Sequence, residues 1–418
     1  MGQTITEKIL ARAAGRDTVE PGEFVNARFD VIFAGDLGSG IHETMARIGV
    51  DRVCDPERVF ITMDHHVPSS SIDSATSAQA ARQFAENYGI KHFYEMGRGG
   101  IMHAIFMEEG YMLPGDVIAG GDSHSVTAGA IGAFATGLGV VDMGCLMATG
   151  EMWLRVPETI RIEFEGRRDP AVTGKDLMLY TIGQIGTDGA LYQTMEFGGP
   201  VVAGLSMDER LTMANMAVEA GAKNGIFEPD DVTRRFLEGR AKRPFTEYHS
   251  DPDIQYCDVI RFDCSRIEPQ VALPHSPGNV KPAREVKDVK VNQVVIGSCT
   301  NGRISDLRQA ASVLRGKRVH PDVRVVVIPA TQQTWLQADK EGLLGVFIES
   351  GCLVCPPTCG PCFGGHMGVI AEGEVAISTT NRNFRGRMGH PNSYVYLASP
   401  ATAAASAIKG QIVDPRDL

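Results

Sequence analysis

The sequence predicts an α/β fold with more than one domain, on three observations. The chain has 418 residues, a length that suggests two to four domains. Short apolar runs alternate with segments of helical period. Polar residues of chemical potential stand just past one strand-like run after another, where open α/β sheets bind ligands.

Composition narrows the class. Apolar residues make up 43% and charged residues 22%, as in a soluble globular chain with a sizeable core. The 47 glycines point to many tight turns. A net charge of −11 argues against a nucleic-acid or anionic-membrane surface, but it permits a local basic pocket. The first residues, Met1–Gly15, are polar and helix-like without an apolar signal core. No run approaches a membrane span. The expectation is a cytoplasmic protein whose nine cysteines are reduced.

In chain order, Arg58–Met63 reads as a strand and leads into Asp64-His65-His66. His103 enters a helix. Asp116–Ala119 reads as a strand that leads, through two glycines, into Asp122-Ser123-His124. Ile160–Phe164 is strand-like, and a charged turn follows around Glu165–Gly174. The helical segment Met207–Gly221 sets Asn215 and Glu219 four apart, on one helix face. His249–Val289 is polar, proline-containing and weakly periodic. The strand-helix pattern resumes with Asn292–Ile296, Val323–Ile328 and Val375–Thr379, and Ala398–Lys409 reads as a helix. The composition shifts divide the chain into 1–165, 166–284 and 285–418.

The sharpest local feature is Cys352, Cys355, Cys359 and Cys362, four cysteines within eleven residues. Such a run suits a structural zinc site, a redox Cys-x-x-Cys pair or an iron–sulfur cluster, and spacing alone leaves the three open. Cys299 follows the strand Asn292–Ile296 and a tight turn at what reads as a helix start. A helix dipole there favours a thiolate. Asn381-Arg382-Asn383-Phe384-Arg385-Gly386-Arg387 follows another strand end, and arginine binds carboxylates bidentately.

Ile296–Asn301, Cys359–Cys362 and Ser378–Arg387, together with Asp64-His65 and Gly121–His124, resemble in order the signatures of the aconitase and isopropylmalate isomerase family. The resemblance covers essentially the whole chain and is greatest to the family's separate large subunits. It implies a three-domain α/β/α fold without the C-terminal swivelling domain. It also implies a 4Fe–4S cluster held by Cys299, Cys359 and Cys362, with one iron lacking a protein ligand. By the same resemblance Asp64 and His65 form an acid pair, His103 pairs with Asp122, and His124 pairs with Glu219. Ser123 and Asn215 stand beside these pairs, Arg382 and Arg387 hold substrate carboxylates, and Asn381 lies close to the cluster. Arg385 falls to solvent, and Cys352 and Cys355 become packing or supporting thiols. Cys54, Cys145, Cys257 and Cys264 are expected in the core, and His42, His66, His366 and His390 as structural or surface groups.

The implied reaction is dehydration and rehydration of a 2-hydroxy dicarboxylic acid. Its base comes from a separate small subunit, since the sequence ends soon after the arginine motif. In Phe33–Asp36 a glycine stands where aconitase has a substrate-contacting glutamine, which argues against citrate. Ser125 and Gly302 are milder departures, standing for the usual threonine and serine. The first expectation for substrate is 3-isopropylmalate; homoaconitate, dimethylmalate and maleate or citraconate are the alternatives. A zinc-stabilised binding protein and an RNA binder are the competing classes, and inorganic sulfide or its absence separates the first of these from the enzyme.

Overall fold

The computed structural model describes residues 2–36 and 39–418. Among them, three sheets organise the chain. The first has five parallel strands in the order His92–Tyr94, Val59–Thr62, Val31–Ala34, Val117–Gly120 and Phe134–Gly137. The second, also parallel, runs Asn224–Phe227, Thr194–Gly198, Thr159–Glu165, Asp258–Asp263. The third has seven strands: Val280–Pro282, Gln270–Ala272, Tyr394–Ala398, Val375–Ser378, Gln293–Ile296, Arg324–Val327 and Leu353–Val354. Its first two strands are antiparallel to their neighbours and the remainder are parallel. A two-stranded ribbon, Phe24–Arg28 with Glu151–Arg155, stands apart.

The central strands are short and covered on both faces. Val31–Ala34, Val59–Thr62, Val117–Gly120 and Gln293–Ile296 are buried at every position, so they read as continuous apolar runs, as parallel strands do. One apolar cluster joins Phe33 and Phe106 of the first layer with Phe164, Leu177 and Met213 of the second and Val295 and Leu397 of the third. The three sheets therefore share packing and fix the clefts between their ends. No described helix is long and apolar enough to cross a membrane.

Sheet membership moves both expected bounds. Thr159–Glu165 pairs with Thr194–Gly198 and Asp258–Asp263, so the second sheet begins before residue 165. Gln270–Ala272 and Val280–Pro282 join the third sheet, well before residue 285. A strand reads alike whichever sheet it enters, because pairing is set by distant residues. The segment 249–289, weakly periodic in sequence, carries three short strands. The helix expected over 207–221 is an α-helix only to Met216, then a tighter 3₁₀ turn over Ala217–Ala220 that stops at Gly221 with φ +83°. Asn215 and Glu219 thus lie on either side of a change in winding.

At the end of strand Gln293–Ile296 the chain turns sharply at Gly297, with φ +116°. A Cβ there would stand 1.9 Å from the Ile328 carbonyl oxygen, so neither the backbone angle nor the space admits a side chain. We expect Gly297→Ala to cost about 2–4 kcal/mol in urea denaturation. An unchanged midpoint and slope would contradict this close approach.

Candidate active site

The site is assembled from the ends of strands in the first and third sheets and the helix Met207–Met216. Asp64 and His65 follow strand Val59–Thr62. The fully buried Asp64 accepts a hydrogen bond from His65 Nδ1 at 2.7 Å through Oδ1, and from the Met102 amide at 2.8 Å through Oδ2. Its carbonyl accepts from the Cys359 amide at 2.8 Å and the Thr358 hydroxyl at 2.9 Å. One residue thereby fixes a histidine, a helix start and a cysteine loop. Asp36, at the end of the neighbouring strand, accepts from the amides of His65 and His66 and stands 3.4 Å from His65 Nδ1. Burial opposes protonation of His65, but Asp64 and Asp36 outweigh it and hold its pKa well above the ordinary value. With Nδ1 engaged, Nε2 is the ring atom left to exchange a proton.

A second chain of acids and histidines runs alongside. His103 Nε2 lies 2.9 Å from Asp122 Oδ1, which also accepts from the His124 amide at 2.8 Å. His124 Nε2 lies 2.9 Å from Glu219 Oε1, and the same oxygen accepts from Arg382 Nε at 2.7 Å. Burial raises the cost of charge on Asp122, but its bonds to His103 and His124 prevail and hold the carboxyl well below the usual range. Burial likewise opposes charge on His124, and Asp122 and Glu219 overcome it. Ser123 opens the 3₁₀ helix Ser123–Ile131 and is half-buried.

The cysteines arrive on two loops. Cys299 is buried on the bend after Gly297. Cys359 caps the short 3₁₀ turn Gly360–Phe363 and Cys362 lies within it. One ligand atom each of Asp64, His65 and Cys359 fall within 4.8 Å of one another. Asn215 Nδ2 and Asn381 Nδ2 both donate to Cys299 Sγ at 3.3 Å, and Cys362 Sγ lies 3.8 Å from Asn381 Oδ1. The helix expected to begin at Cys299 begins at Ile304, too far for its dipole to act. Burial, then the charge of Cys362, pushes the Cys299 thiol up to about 12. Burial, then Asp64 and the other two sulfurs, raises Cys359.

The remaining expected residues divide. Arg382 is committed to Glu219 through Nε. Arg387 is half-buried, and its Nε has no protein partner among the described residues. Arg385 is exposed. Cys352 packs among Phe347, Val346 and Leu343, and Cys355 with Val326 and Ile328. Of the four cysteines expected in the core only Cys264 is buried; Cys54 and Cys145 are half-buried and Cys257 is exposed. Asp36, Thr127, Thr300 and Lys175 were not singled out by the sequence. Asp36 obeys the strand-end rule that marked Asp64, and Thr300 lies inside the Ile296–Asn301 motif, whereas Thr127 and Lys175 carry no local signal.

Buried thiols beside carboxylate-held histidines, at strand ends of an α/β fold, define a metal- or cluster-dependent enzyme site. The aconitase family model (aconitate hydratase) matches residues 7–287 and 279–410, and the chain belongs to that family. It is 54% identical to the 3-isopropylmalate dehydratase large subunits of Thermodesulfovibrio yellowstonii and Moorella thermoacetica, over 419 residues and the full length of each. It is 54% identical to large subunit 1 of the same enzyme from Pyrococcus furiosus over 420 residues, all of this chain and 99% of that one. Holo aconitase X of Thermococcus kodakaraensis superposes with a TM-score of 0.51 at 11% identity, covering 86% of this chain and 84% of that one, a likeness of fold alone.

Glu219 is buried between His124 and Arg382. Removing one partner of a buried charged set costs about 3 kcal/mol or more. We expect Glu219→Gln to lower the unfolding free energy by that order in guanidinium titrations; a loss below about 1 kcal/mol would contradict the network.

Proposed function

We propose that the chain is the large subunit of a hydro-lyase that interconverts isopropylmalates through the cis-alkene. Full-length identity of 53–54% to large subunits carrying that enzyme's name supports the substrate. The observation that carries the reaction type is the meeting of Cys299, Cys359 and Cys362 with the Asp64–His65 pair.

The donor set suits a 4Fe–4S cluster. Three sulfurs face one another's charge, and two carboxamide N–H groups point at one of them. Cys352 and Cys355 are held in separate apolar clusters, which speaks against a closed four-cysteine zinc site. When bound, a cluster with one iron free of protein ligands supplies a Lewis acid toward a hydroxyl and a carboxylate.

The chain's own residues do the rest. His65, held in one tautomer by Asp64 and Asp36, carries a proton at Nε2 and gives it to the departing hydroxyl oxygen. Arg387, with a free guanidinium edge, binds a substrate carboxylate. Arg382, anchored through Nε on Glu219, offers its terminal nitrogens to the other. The hydrogen-bonded chain of His103, Asp122 and His124 keeps Glu219 and Arg382 in place. A separate small subunit covers the site and supplies the base for the carbon-bound proton.

The test is anaerobic reconstitution with iron, sulfide and the small subunit, followed by assays on 3-isopropylmalate, homoaconitate, dimethylmalate and maleate. Turnover is expected with isopropylmalate and only with the small subunit. His65→Asn should keep its iron and sulfide and lose ~10²–10⁴-fold in kcat. Zinc without sulfide, or full activity in Cys299→Ser, would sink the reading.

A further inference from the structure

Lys175 is only 1% exposed, in the first turn of helix Gly174–Ile185. Its Nζ donates to the Thr379 carbonyl at 3.1 Å and to the Thr380 carbonyl. No carboxylate among the described residues lies within ion-pair distance of it. Asp176 is occupied by Thr173 and the Gln270 amide, and Asp306 by Asn301 and the Arg303 amide. A buried charge without a partner costs several kcal/mol, so a lysine protonated here needs negative charge from elsewhere. Burial pulls its pKa down to about 7, and the charges that work against this are those of Cys299, then Asp306, Asp176 and Cys362. Two of these four are thiols that become thiolates when they bind metal. The carbonyls it holds lie directly before Asn381, which donates to Cys299, and Arg382.

We propose that Lys175 is a positioning residue of the cluster site. It pins the strand end that carries Asn381 and Arg382, and, protonated against the thiolates of a bound cluster, it supplies positive charge to the site. The inference rests on the cluster reading given above. Charge close to a cluster shifts its reduction potential, and loss of a positive charge disfavours added electrons.

Lys175→Gln keeps a donor for the carbonyls and removes the charge; Lys175→Met removes both. After anaerobic reconstitution of the full chain, the Gln variant should hold wild-type iron and sulfide with its potential shifted down. The Met variant should hold less of both and show an altered electron paramagnetic resonance signal after mild oxidation. An intact cluster at wild-type potential in the Gln variant would overturn the proposal. So would apoprotein of both variants that fails to fold by circular dichroism, since Lys175 would then serve the fold alone. Wild-type protein that takes up no sulfide would instead reject the cluster reading.

Discussion

Asn215 uses all four of its hydrogen-bonding positions inside the protein. Its Nδ2 donates to the Thr127 hydroxyl at 2.9 Å and to Cys299 Sγ at 3.3 Å; its Oδ1 accepts from the Thr300 hydroxyl at 2.8 Å and from Asn381 Nδ2 at 3.1 Å. These partners come from the 3₁₀ helix beside the first sheet and from two strand-end loops of the third. A fully buried carboxamide with no position to spare allows one arrangement of its neighbours. The registry of the three layers at the site therefore depends on it, and so does the placing of the Cys299 sulfur. Aspartate or leucine at this position would leave buried donors or acceptors unmatched.

The rest of the site follows the same economy. Asp64 serves His65, Met102, Thr358 and Cys359 at once; Glu219 serves His124 and Arg382. Burial alone would disfavour charge on His65, Asp122 and His124. Partners at 2.7–2.9 Å reverse that cost, pulling His65 and His124 toward the protonated form and Asp122 toward the ionised one. The thiols differ: burial, then neighbouring negative charge, disfavours thiolates at Cys299 and Cys359. A polycationic metal core is the kind of charge that would make such thiolates stable.

Much of this was legible in the sequence because parallel strands buried on both faces read as short apolar runs, and chemistry collects at their ends. Asp64-His65, Asp122–His124, Cys299 and the arginine segment all stand at such ends. What escaped is what depends on pairing between distant residues. Thr159–Glu165 and Gln270–Ala272 look like strands of either neighbouring unit, and only hydrogen-bond partners assign them. Thr127 and Lys175 sit inside ordinary helical text, and their part emerges only once Asn215 and Thr379 are brought beside them. The break at Met216 escaped too, because a 3₁₀ turn and an α-helix share the same apolar spacing over four residues.

The central proposal is that three thiols from two strand-end loops would hold a cluster and leave one iron without a protein ligand. Mössbauer spectroscopy of the chain reconstituted anaerobically with ⁵⁷Fe tests it most directly. The account predicts one iron site distinct from the other three, whose signal alone changes when 3-isopropylmalate and the small subunit are added. Four equivalent irons, indifferent to substrate, would contradict it.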